Sequence, residues 1–175
     1  MDEYTIKGLK TWTGRQGVAA SGTLMLGRVE VAAFRDEANG GCMIIRPLDR
    51  PAYDAWAALV AAADLRWPAD MGGKTVDFER EDFAINRMVD AELERRTLAR
   101  WCKTYLVFRL DGDAAGSFRK LTVPAGRTAA EAAAFVRGRY EREGRIVEIL
   151  NDRFSAPATP ARKTRKATTA ASAGG

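Results

Sequence analysis

Histidine is absent from this chain of 175 residues. Its absence removes the serine–histidine and cysteine–histidine nucleophile pairs, the histidine general base, and the commonest protein ligand for zinc, copper and non-haem iron. Any catalysis would have to run on carboxylates, lysine, tyrosine, cysteine or a metal held by oxygens. Cysteine is nearly absent too: Cys42 and Cys102 stand in different halves with no metal-type spacing. Two isolated thiols point to a reducing compartment, although a bridge between them stays open from sequence alone. The opening MDEYTIKG has neither a basic nor an apolar signal region, and no apolar run reaches the 18 residues of a membrane span. The expectation is a cytoplasmic protein without a membrane partner. No GxGxxG or P-loop pattern occurs, so no nucleotide cofactor is expected, and no other cofactor is indicated.

Acidic residues are missing from one segment only. From Ser155 to Gly175 there are four cations, Arg162, Lys163, Arg165 and Lys166, and no carboxylate. Positions 1–154 hold 24 basic and 23 acidic residues, so the isoelectric point near 9.5 reports mainly this segment. It also lacks any large apolar residue and cannot offset the entropy of ordering, which predicts a disordered basic tail. Four phosphate contacts correspond to a salt slope of at most about −3.6 on duplex DNA, enough for loose association and not for specificity. A solubilising role accounts equally well for the same residues.

The remaining chain is ordinary in composition, with 46% hydrophobic and 29% charged residues. Its pattern predicts an α+β fold: an N-terminal antiparallel β-meander with a helix (residues 1–66), then a long helix and a β-β-α-β half (74–154), the two halves forming one compact unit that shares the helices as a covering layer. In the meander, Gly8 suits a bulge, Gly27-Arg28 a tight hairpin and Asn39-Gly40-Gly41 a reversal. Val18, Ala20, Gly22, Leu24 and Leu26 would share one strand face, and Met43, Ile44 and Ile45 read as a buried run. Asp49 caps a helix that has Pro51 in its first turn and Tyr53, Trp56, Leu59 and Val60 at helical spacing. In the second half, Ile85, Met88, Val89 and Leu93 make a stripe that drifts into Leu98, Trp101 and Cys102. Thr128 and Glu131 form a capping box opening a helix with Ala132, Phe135, Val136 and Tyr140 inward. The β-β-α-β order allows one parallel strand pair.

Several clusters bear on chemistry. Asp77, Glu79, Glu81 and Asp82 gather at the start of the long helix, and Asp111 and Asp113 flank Gly112; oxygen ligands of this kind suit magnesium. Helix-dipole and turn chemistry explain the same acids more economically. Cys42 follows a glycine-rich turn whose N–H groups would favour a thiolate, but it lacks a partner base, and a buried structural cysteine fits as well. Tyr4, Trp12, Phe34, Trp56, Trp67 and Trp101 include candidates for a base-stacking platform. Arg137, Arg139, Arg142 and Arg145 cluster at the end of the third helix, where they face either phosphate or the helix dipole.

The segments GLKTWTG (8–14), ANGGCMI (38–44), CKTYLVFRLD (102–111) and EILND (148–152) resemble uncharacterised proteins of phages and mobile elements. This likeness implies an accessory gene and carries no functional residue with it. The leading expectation is a non-catalytic binding protein that engages a protein or nucleic-acid partner, with Arg162, Lys163, Arg165, Lys166, Arg137, Arg139 and Arg142 contacting DNA or RNA non-specifically. Two alternatives stand beside it: a carboxylate-dependent metal enzyme acting on phosphoesters through Asp77, Glu79 or Asp111, and a protein inhibitor of a host defence system.

Overall fold

The computed structural model describes residues 3–114 and 116–154, and the chain divides into two compact units between Thr97 and Leu98. The tail cations Arg162, Lys163, Arg165 and Lys166, and the disorder expected there, lie outside the described residues. No helix among the described residues is long and apolar enough to cross a membrane.

The first unit opens with the expected antiparallel meander, β1 (Tyr4–Gly14), β2 (Gly17–Leu26), β3 (Val29–Asp36) and β4 (Ile44–Pro47), in that spatial order. Its turns sit where glycine permits them. Gly8 has φ 66° and accompanies the register shift between Lys7 and Lys10, and Gly27 at φ 57° closes the hairpin in which Leu26 pairs with Val29. Alternation is looser than the sequence pattern predicts. Ala20 and Leu24 are buried, but so are their neighbours Ala19 and Met25, while Val18 is exposed. A second register shift lies here as well: Leu24 pairs with Ala32 and Met25 with Glu30, so Val31 is the extra residue and belongs to β3. The run after the reversal is also not buried throughout: Met43 is, Ile44 is 64% exposed, and Cys42 lies on the surface.

Helix α1 (Arg50–Ala62) begins at Asp49, whose side chain accepts from the Ala52 N–H at 3.0 Å. It buries Trp56 and Val60, whereas Leu59 falls outside the covered face. The following segment folds back on itself, with an Arg66–Thr75 bridge and the Val76 N–H on the Leu65 carbonyl at 2.9 Å. Leu65 and Val76 are buried and anchor it to the core. Arg80 then fastens three carbonyls: it donates to Val60 at 3.0 Å and also to Ala63 and Val76.

Helix α2 (Arg80–Trp101) explains the drifting stripe. Ile85 and Val89, with Met88 and Leu93, belong to the core of the first unit, and Leu98, Trp101 and Cys102 to a cluster of the second. One helix serves two cores, so its apolar face need not hold a single direction.

The second unit contains β5 (Tyr105–Leu110), β6 (Arg119–Thr122), α3 (Ala129–Glu141), β7 (Val147–Ile149) and the single turn α4 (Asn151–Phe154). Its sheet has the order β6-β5-β7. The parallel pair allowed by the sequence does not form, because β7 pairs antiparallel to β5, with Phe108 opposite Ile149. The strands joined by α3 flank β5 and do not touch one another's edges. The capping box is present in both directions, Thr128 N–H to Glu131 at 2.8 Å and Glu131 N–H to Thr128 at 3.2 Å. Ala132, Ala133 and Val136 are buried, and Tyr140 packs beside them. Phe135, expected inward, is 58% exposed, since it lies to one side of the arc those residues define. Asn151 ties the start of β5 in place by accepting from the Val107 N–H at 2.7 Å and donating to the Cys102 and Tyr105 carbonyls.

Candidate functional site

The acidic clusters are engaged locally. Asp113 accepts from Arg119 at 2.7 and 3.0 Å and from the Leu110 N–H at 3.0 Å, contacts that in this order hold its carboxyl below the usual range. Asp111 accepts from the Ile146 N–H at 3.1 Å and pairs with Arg145 at 3.5 Å. Glu81 receives the Tyr53 hydroxyl, and Asp82 receives the Met43 N–H at 2.8 Å. Asp77 is exposed. Among the described residues no group of three or more cysteine, aspartate or glutamate side chains is placed to hold a metal ion.

Cys42 is not activated. Its thiol lies 3.3 Å from the Glu79 carboxylate, which raises its pKa, first through that hydrogen bond and then through its charge. A carboxylate neighbour works against the thiolate that a nucleophile needs.

The aromatic candidates separate cleanly. Tyr4, Phe34 and Trp56 are core residues. Trp12 is half-buried with the Arg35 guanidinium 5.5 Å from its ring, and Trp67 packs edge-on against Phe83 at 4.9 Å. Trp101, at the end of α2, is half-buried in the second unit, with the Lys120 ammonium 4.2 Å from its ring centre and 5.5 Å from that of Tyr105. Arg100 and Lys103 flank the same tryptophan in the chain, and both are exposed. Two aromatic rings and three cations thus share one part of the second unit.

The arginines near the end of α3 are mostly occupied. Arg137 pairs with Asp152 at 3.4 Å, and Arg139 with Glu143 at 3.9 Å. Arg145 reaches both Asp111 and Asp113. Arg142 donates to the Gly138 carbonyl at 2.7 Å and has no carboxylate partner among the described residues. Arg100, Lys103, Lys120 and Arg127 are likewise exposed and without a carboxylate partner there. The interleaving Arg100-Trp101-Cys102-Lys103-Thr104-Tyr105 was present in the sequence as a signal. Lys120 joins it only through the pairing of β5 with β6, which sets Lys120 opposite Val107.

The first unit carries a different feature, an open groove of about 660 Å³ beside α2. The folded-back segment supplies Trp67, Met71 and Phe78, and α2 supplies Phe83 together with Asp82, Asp90 and Glu94. Met71 and Phe78 are 62% and 66% exposed. Desolvation raises the pKa of both Asp82 and Asp90.

Charge divides along the same boundary as the units. Residues 1–97 contain 13 basic and 16 acidic side chains, residues 98–154 contain 11 and 7, and the tail adds four cations. The near-neutral average over positions 1–154 conceals an acidic first unit and a cationic second one.

Comparison with protein-family models, with curated proteins and with solved structures finds no match to this chain.

Proposed function

We propose that this is a non-catalytic binding protein that associates with nucleic acid through its C-terminal unit, with the basic segment beyond Ser155 adding phosphate affinity. The observation that carries this reading is the charge division at Thr97/Leu98, which gives residues 98–175 a net charge of +8. Arg100, Lys103 and Lys120 around Trp101 and Tyr105 are the best-supported contact residues in the body of that unit. Cations beside aromatic faces serve both components of such binding, phosphate attraction and base stacking.

The test is a salt series on the full chain with single-stranded and duplex oligonucleotides, repeated with the Arg100→Gln/Lys103→Gln/Lys120→Gln variant. Binding that weakens with salt is expected, and each lost phosphate contact should flatten the slope by about 0.7 on single strands or about 0.9 on duplex. Absence of binding at low salt would overturn the proposal. An unchanged slope in the triple variant would move the contact surface elsewhere.

A further inference from the structure

The groove of the first unit and the tail carry complementary chemistry. Its apolar side is built from Trp67, Phe78, Phe83 and Met71, which are side chains that stack on proline rings. Along its other side, Asp82, Asp90 and Glu94 follow α2 at spacings of eight and four residues, and with Glu79 they outnumber the two lining cations, Arg66 and Arg87. Asp90 and Glu94 are a like-charged (i, i+4) pair, an arrangement that costs a helix stability, and no cation among the described residues pairs with either. A cationic occupant would relieve that repulsion, and its charge would offset the cost of desolvating Asp90.

Directly after Phe154 the chain reads Ser-Ala-Pro157-Ala-Thr-Pro160-Ala-Arg162-Lys163-Thr-Arg165-Lys166. Two of the six prolines of the protein stand there in a Pro-x-x-Pro spacing followed at once by the four cations. A polyproline II helix has three residues per turn and rises about 9 Å per turn. In that conformation Pro157, Pro160, Lys163 and Lys166 would share one edge, with two rings for an aromatic wall and two ammonium groups for carboxylates. Aromatic-lined grooves recognise such segments because little conformational entropy is lost on docking.

We propose that the groove beside α2 is the docking site for the Pro157–Lys166 segment of a second copy of this chain. Its prolines lie on Trp67 and Phe78, and its cations face Asp90 and Glu94. This inference goes beyond the nucleic-acid reading and does not depend on it. If both hold, docking withdraws Lys163 and Lys166 from phosphate.

A synthetic peptide of residues 155–167 is titrated calorimetrically into two full-length chains, the native one and a Pro157→Ser/Pro160→Ser/Lys163→Gln/Lys166→Gln variant whose own segment is disabled. Saturable binding to the variant is expected, with apparent affinity about tenfold weaker for the native chain because the segment of a second copy competes. Adding Asp90→Asn/Glu94→Gln or the surface change Phe78→Ser to the variant should each weaken the peptide by about tenfold or more. A scrambled peptide of equal charge that binds as well would reduce the interaction to net charge and overturn the proposal, as would no binding at all. Equal affinity for both chains would make the groove a site for another protein's Pro-x-x-Pro segment and overturn the assignment to this tail.

Discussion

Glu92 is the most heavily engaged carboxylate on α2. It accepts from Arg95 at 2.6 and 2.9 Å and from Arg96 at 2.7 Å, and Arg96 in turn donates to the Leu9 carbonyl at 3.1 Å. The Arg95 hydrogen bond, and after it Arg96, holds the Glu92 carboxyl down at about 2, against a usual 4.5. A depressed folded-state pKa means stability fully present above the unfolded value and lost as pH falls through the folded one. Between pH 4.5 and about 2 the protein should therefore lose this contribution. Glu92→Gln should cost about 0.5–1 kcal/mol at neutral pH and flatten acid unfolding across that window, followed by circular dichroism. Tyr53 gives the opposite case. Burial, and then its hydrogen bond to Glu81, pushes the phenol up to about 12 from 10. Stability should be complete below pH 10 and fall as pH rises toward about 12. A phenolate absorbance titration should show a late component near pH 12 that is missing in Tyr53→Phe.

Among the elements, those closed by local chemistry were legible beforehand. Gly8, Gly27, Asp49 and the Thr128–Glu131 box each act within a few residues, so their letters suffice. Thr128→Ala should cost about 1 kcal/mol, read as a shift of the urea midpoint. Arg80 acts over longer distances, on Val60, Ala63 and Val76. Nothing in the sequence separates it from the other arginines. Lysine cannot reproduce its planar fork, so Arg80→Lys should leave carbonyls at the end of α1 without a donor. The expected loss is about 1–3 kcal/mol, more than for Thr128→Ala in the same assay. Phe135 and Ile44 failed as core residues for a related reason. A hydrophobic letter at roughly the right period does not say whether another element arrives to cover it. The direction of β7 was illegible for the same cause, since the element order is compatible with either pairing until β5 takes the central position.

For the molecule as a whole, average charge was misleading and its partition informative. A body with almost balanced charge over 154 residues has no reason to attract phosphate, whereas a boundary at Thr97/Leu98 separates an acidic unit from a cationic one. The proposed nucleic-acid association accordingly predicts that photo-crosslinks from a bound oligonucleotide map to residues 98–175, with Trp101 and Tyr105 among them, and are sparse in 3–97. Even labelling of both units would contradict it. The acids that raised the metal-enzyme alternative are distributed over the two units, and apart from the exposed Asp77 they are bonded to arginines, a thiol, a hydroxyl or backbone N–H groups nearby.

By itself the sequence determined the α+β class, the meander with its glycine turns, the helix caps and the concentration of unopposed cations at the C-terminal end. Those properties depend on residue type and on neighbours a few positions away, where backbone sterics and hydrogen-bond valence act. Only the tertiary structure decided that α2 feeds two cores, that Lys120 sits on Trp101, and that Phe78 lines a groove with Asp90. Each of these joins residues distant in the chain, and packing, which sums over all such pairs at once, is the physical quantity that selects them.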